Sequence, residues 1–345
     1  MARTPSISLH HPHVTTPRHP RQRWRILRTV AAVLTLCFAG STTGRLAATA
    51  VAQPAAEAGG QMESVRTSDG VNLALWYYPA ATEQALGTVV LVHDLESSHA
   101  ALEPLALGLQ AAGMSVVAPD LRGHGESTNR EWPNGRTDEL EAERLRKGDL
   151  DAITVTQGGR VREQATLRGD LETVYGWIRR TARADQRLAA DQLCIVGSGL
   201  GGTLASLWTA KDAAWPPLAS GPQGRNVQAI CLISPVFALK GATIGPALQT
   251  QTLSRDLPLV ILAGERDRDA TRIFNQLKGK RSDAWFEQKA DGSTDKASAV
   301  ENPTTDASLF LLTYGTTETG DALATAGSQT FIPLLVDFFS KQLAK

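Results

Sequence analysis

Histidine runs out early in this sequence. Of seven in 345 residues, the last is His124. Chemistry that needs an imidazole from anywhere beyond that point is excluded. Cysteine is scarce, with three in all. That excludes a disulfide scaffold, and no Cys/His cluster has the spacing of a zinc site. Gly and Pro, at 30 and 17, are too few for a collagen-like or low-complexity chain. No internal repeat is present. Bases and acids balance at 35 each, so the whole chain has no basic excess of the kind nucleic acid requires.

The first fifty residues differ from the rest. Residues 1–28 carry Arg3, Arg18, Arg21, Arg23, Arg25 and Arg28 and no acid. An apolar stretch of about 12 residues follows, short of the ~20 that span a bilayer. Small residues then lead to Ala50-Val51-Ala52. A basic region, a short apolar core and an A-x-A site predict a secretory signal peptide over residues 1–52, cleaved near Ala52. The alternative is an uncleaved N-terminal membrane anchor. Leu36 stands where a lipoprotein would have a small residue before Cys37. The leader has no Arg-Arg pair for twin-arginine export. Cleavage would remove seven arginines and no acid, leaving 28 bases against 35 acids, about −7 by formal counting. The mature protein is then expected in the periplasm or outside the cell, with no nucleic-acid partner and no stable membrane span. Cys194 and Cys231 remain. Each lies in an apolar run, which predicts buried free thiols rather than a disulfide.

Residues 53–61 read as a linker and 62–345 as one domain. Met62–Thr67 and Val71–Tyr78 flank a Ser-Asp-Gly turn and predict a hairpin. Beyond it, Thr88–Val92, Met114–Pro119, Gln192–Val196, Val227–Ser234, Pro258–Ala263 and Ser308–Thr313 are short apolar runs without alternation. Strands buried on both faces look like this. Helical patterns lie between them, at Leu102–Ala112, around Leu167, Leu171, Val174 and Ile178, at Gly201–Trp208, at Thr271–Leu277 and near the C-terminus. Strands alternating with helices predict an α/β fold, a doubly wound, mostly parallel sheet covered on both faces. Residues 128–162, 211–226 and 288–306 are polar and predict surface insertions, with a helix possible over Glu139–Lys147.

Three segments carry a resemblance. They are Val90-Leu-Val-His93-Asp94-Leu95, then Asp120-Leu-Arg122-Gly123-His124-Gly125-Glu-Ser127, then Gly197-Ser198-Gly199-Leu200-Gly201-Gly202. In this order they resemble the α/β-hydrolase superfamily, of the serine aminopeptidase and lysophospholipase kind, in a degenerate form. The resemblance spans residues 62–345 and implies an eight-stranded sheet with little or no cap. It implies that His93, Asp94 and Leu95 stand at the oxyanion loop, Gly197–Gly202 at the nucleophile elbow, and Asp267 at the acid position. His93 and His124 match histidines that are usually structural there.

An active elbow reads G-x-S-x-G, with small residues two before and two after the serine because the backbone doubles back. With Gly199 at the apex, Gly197 and Gly201 flank it, and Gly202 follows. With Ser198 at the apex, Val196 and Leu200 would clash. The spacing therefore puts Gly199 at the nucleophile position. The general base should follow the last strand, but Tyr314–Asp321 has no histidine. His99 is expected to face solvent. Asp94 puts a carboxylate where an anionic intermediate would be stabilised, the wrong sign for an oxyanion hole. Without an imidazole, Asp267 has nothing to orient and reads as a strand-end carboxylate in local hydrogen bonds.

These residues predict a catalytically inactive, exported hydrolase-fold protein that binds a small molecule or an envelope protein, with no cofactor and no metal. The rival is an active ester or amide hydrolase with displaced residues, Ser198 or Ser234 as nucleophile and His93 or His124 as base. A third reading is a purely structural module.

Overall fold

The six continuous apolar runs become the adjacent middle strands of one sheet, each covered on both faces. The computed structural model describes residues 59–155, 169–216, 219 and 223–344. The expected signal peptide, and the expected linker as far as residue 58, lie outside the described residues. In chain order the elements are β1 (Gln61–Arg66), β2 (Asn72–Tyr78), β3 (Thr88–Val92), α1 (Glu103–Ala111), β4 (Ser115–Pro119), β5 (Asn129–Glu131), β6 (Thr137–Glu139), α2 (Lys147–Ile153) and α3 (Asp170–Thr181). Then come β7 (Leu193–Ser198), α4 (Leu200–Ala213), β8 (Val227–Ile233), β9 (Ala238–Leu239), β10 (Ala242–Thr243), α5 (Gly245–Gln249) and β11 (Leu259–Gly264). The chain closes with α6 (Arg268–Lys278), β12 (Trp285–Gln288), β13 (Thr294–Lys296), α7 (Pro303–Asp306), β14 (Leu309–Tyr314) and α8 (Gly320–Leu343).

The sheet order is β1-β2-β4-β3-β7-β8-β11-β14-β12-β13. Strands β4, β3, β7, β8, β11, β14 and β12 pair in parallel. The β1–β2 hairpin joins antiparallel through β2 and β4. Two strands extend the expected eight. Residues 288–306, expected as a plain insertion, contribute β13 and the end of β12. Their signal was weak because β13 is wholly exposed and β12 offers only Trp285 and Phe286 as apolar residues. Glu139–Lys147 is not a helix. It holds the end of a small ribbon and a single turn, Ala142–Arg144, before α2 begins.

Alternation along β7 shows why periodicity vanishes in the middle of the sheet. Leu193 and Ile195 pack in the core with Ile178 of α3 and Leu204 of α4. Cys194 and Val196 pack on the other face with Leu105 and Leu109 of α1 and Phe331, Leu335 and Phe339 of α8. Both faces want apolar residues, so no polar position remains to mark the period of two. Cys194 and Cys231 are free and buried, and burial pushes both thiols up. Helix α8 is long and apolar enough to cross a membrane on composition alone. Its Phe331, Leu335 and Phe339 are instead buried against the sheet.

One buried cation fastens the far half of the fold. Arg281 is 3% exposed and donates to the carbonyls of Leu253, Ser254, Leu257 and Ser308 at 2.7 to 3.1 Å. It thereby ties the turn before β11 to the entry of β14. Burial lowers its guanidinium to about 10, with the Asp256 charge opposing.

Candidate active site

The chain turns sharply between β7 and α4. Gly199 makes the turn, with φ +52° and ψ −121°, a backbone state that L side chains resist. Its neighbours are small because backbone fills the space beside them. A Cβ on Gly201 would run into the carbonyls of Val92 and His93, and one on Gly197 into Gly201 and Gly202. The apex is therefore Gly199, and Ser198 is the last residue of β7. The Ser198 hydroxyl is buried without a hydrogen-bond partner.

Asp94, on the loop after β3, lies directly against this turn. Its Oδ1 accepts the N–H of Leu95 at 2.7 Å and the N–H of Leu200 at 2.8 Å. One N–H comes from the β3 loop and the other from the first residue of α4, and both converge on a single oxygen. A Cβ on Gly199 would overlap this carboxyl group. So would a Cβ on Gly320, at the start of α8, where φ is +54°. The Asp94 carboxylate thus fills the space that side chains at 199 and 320 would need. Asp321 braces the arrangement, its carboxylate accepting the Asp94 N–H at 3.1 Å. Burial raises the Asp94 pKa, with the Leu200 and Leu95 N–H groups opposing and the Asp321 charge adding to the rise. Gly320 and Asp321 carried no signal in the sequence. Their role is a contact with Asp94 across more than two hundred residues, and neither belongs to a local motif.

The histidines are committed elsewhere. His93 is fully buried. Its Nδ1 meets the Asp94 carbonyl at 2.6 Å, and its Nε2 accepts the Leu121 N–H at 3.0 Å. Since a backbone carbonyl only accepts, Nδ1 carries the proton and the ring is neutral. Burial, then the His124 charge, lowers its pKa to about 4. His124 is placed likewise, Nδ1 on the Arg122 carbonyl and Nε2 accepting the Glu96 N–H, both at 3.0 Å. Burial lowers its pKa too. His99, expected in solvent, instead stacks on Trp76 at 4.1 Å and bonds Asp120 at 2.8 Å. Its sequence surroundings are polar, so only the fold brings it under Trp76.

The Asp120–Ser127 segment is a clamp. The Asp120 carboxylate accepts the backbone N–H groups of His99 and Glu126 at 2.8 and 3.0 Å. Burial works against its charge, but the His99 and Glu126 hydrogen bonds outweigh it and hold Asp120 below its usual range. Gly125 has φ +48° and no room for a Cβ beside Asp120. Gly123 has φ +76° in the same turn. Arg122, 1% exposed, bonds Asp170 at the start of α3 through two nitrogens and reaches Asp69 at 2.9 Å. Through His124 and Glu96, the clamp also sets the path of the loop bearing Asp94.

Asp267 lies after β11 as the N-cap of α6, accepting the Ala270 N–H at 2.9 Å. Its other oxygen accepts the Ser234 hydroxyl. Neither the Ser198 nor the Ser234 hydroxyl bonds a histidine nitrogen. Among the described residues, no group of three or more His, Cys, Asp or Glu side chains gathers as a metal site.

A family model described as serine aminopeptidase, S33, matches residues 83–270. Among solved structures, an esterase of Pyrococcus furiosus superposes with TM-score 0.52 at 13% identity, over 82% of this chain and 93% of that one. An α/β hydrolase of Penicillium superposes with TM-score 0.51 at 10% identity, over 83% and 99%. At such identities the likeness is one of fold. No curated protein matches the sequence.

Proposed function

This chain belongs to the serine aminopeptidase S33 family of α/β hydrolases, and we propose that it is a member without nucleophilic chemistry, exported and acting by binding a small molecule or an envelope protein. The observation that carries this reading is the apex of the elbow. Gly199 has no side chain, and the carboxylate of Asp94 takes the space a serine would use. Acyl transfer needs a nucleophile hydrogen-bonded to a base. Here the two histidines nearest the loop have both ring nitrogens in backbone hydrogen bonds. Asp94 also places negative charge on the donors that would stabilise an oxyanion, the reverse of what catalysis requires.

The test is labelling of the mature protein with a fluorophosphonate, which reports an activated serine without knowledge of substrate. No adduct is expected. Stoichiometric modification of a serine would overturn the reading and support the rival, a hydrolase using Ser198 or Ser234 with His93 or His124. Family membership is what speaks for that rival.

Export rests on the leader composition alone. The expected outcome is a secreted or periplasmic protein whose intact mass begins near Gln53, after Ala52. A cell-associated protein that keeps residues 1–52 would favour the membrane-anchor alternative.

A further inference from the structure

Strands β14 and β12 are closed on one face by a helix. Trp285, Leu309 and Leu311 point to that face and pack with Phe274 and Leu277 of α6. The alternate residues Phe286, Phe310 and Leu312 point to the other face. There the flank of α8 stands on one side and the short α7 on the other, with a cavity of about 360 Å³ between them. Leu334 and Phe338 of α8 and Pro303 of α7 complete its apolar lining. Phe286 and Phe310 are partners in register and stay half-buried. A packed interior leaves few voids larger than a water, and a cavity of this volume sits at the lower end of those that hold small molecules.

The lining sets the chemistry of the occupant. Phe310 meets Phe286 at 6.3 Å and 57°, and Phe338 at 5.9 Å and 80°. Rings that cross rather than stack offer edges and faces to a further flat ring. At the mouth, Asp337 pairs with Lys341 one turn on. The two charges cancel, so a charged guest would meet a like charge as well as an opposite one. The Asp337 carboxylate is 65% exposed and has lone pairs for one more donor. We propose that this cavity binds an uncharged aromatic molecule of one or two rings, its N–H or O–H donating to Asp337. The rings fill the space between Phe286, Phe310 and Phe338, and the donor stays at the mouth. No residue lining the cavity belongs to the elbow, to the loop bearing Asp94 or to the Asp267 segment. The site therefore stands whether or not a fluorophosphonate labels the protein.

The probes are phenol and indole. Anisole lacks the donor, cyclohexanol lacks the aromatic ring, and benzoate carries a charge. In methyl NMR of the wild-type protein, the Leu312 and Leu334 signals should shift saturably with phenol and with indole, under the ring current of the guest. Phenol should bind about fivefold more tightly than anisole, the worth of one hydrogen bond. It should bind about threefold more tightly than cyclohexanol, from its contacts with the phenylalanine rings. Benzoate should bind more weakly than phenol. Asp337→Ala, at an exposed position, should erase the difference between phenol and anisole. Leu334→Trp fills the cavity from within and should abolish the Leu312 shift. If Leu334→Trp does not fold, the wild-type titrations and Asp337→Ala decide alone. Absence of saturable shifts at Leu312 and Leu334 up to the solubility of phenol overturns the proposal. So does anisole, cyclohexanol or benzoate binding as tightly as phenol.

Discussion

Gly199, Asp94 and Gly320 form a three-body arrangement at the residue scale. The strained backbone at the elbow alone would make Gly199→Ser unfavourable by about 1–3 kcal/mol. The structure adds a second term. A serine Cβ must displace the Asp94 carboxyl, and the displaced group abandons two N–H donors, a further loss of about 1–3 kcal/mol. Gly199→Ser should therefore lower stability by roughly 2–6 kcal/mol. In an Asp94→Gly background the clash is gone, and the same change should cost only the strain, about 1–3 kcal/mol. Urea denaturation of the four proteins gives this coupling directly. Additive effects would show that the two positions do not compete for one space. The register of the glycines was legible in the sequence, because sterics at Gly197 and Gly201 allow a single apex. The place of Asp94 on the loop after β3 was legible too. Its hydrogen bonds were not, because they depend on loop path and on Asp321.

Strands and helices follow the sequence most closely where burial is two-sided. β3 occupies Thr88–Val92 as read, and the other central strands shift by a residue or two. Amphipathic α3 was visible because Leu171, Val174 and Ile178 recur on one face. β12 and β13 escaped because their stability comes from pairing with β14 and with each other, which leaves little trace in hydropathy. Arg281 escaped as well. A charged residue in a polar stretch reads as surface, yet it holds four carbonyls from two segments. Arg281→Leu should destabilise by about 3 kcal/mol or more, since several buried acceptors lose their donor. Arg281→Lys should recover only part of that, because one ammonium cannot reproduce the planar fork. A thermal melt of both variants checks the order. Equal stability of Arg281→Leu and the wild type would mean that water reaches those carbonyls.

The whole molecule should respond to acid through its buried histidines. His93 has a folded pKa of about 4 against an ordinary 6.5. Between those values the unfolded chain binds a proton that the native state refuses, so stability falls as pH drops through the window. The loss from His93 reaches at most about 3 kcal/mol, and His124 adds in the same direction. Asp94 and Asp170, both raised by burial, act oppositely, because the folded state holds their protons more tightly. From the histidines alone, chemical denaturation should find less stability at pH 5 than at pH 7. His93→Gln should flatten that slope. An unchanged slope would mean that His93 titrates normally in the fold.

The plug at the elbow also has a bearing on reversibility. With the Asp94 carboxyl wedged between two bare glycines, a serine at 199 would have to displace it. Once Asp94 leaves, the donors at Leu95 and Leu200 stand empty. Each single step backward crosses a less stable protein. The arrangement couples three positions sterically: a side chain at 199 or 320 and the Asp94 carboxyl compete for one space.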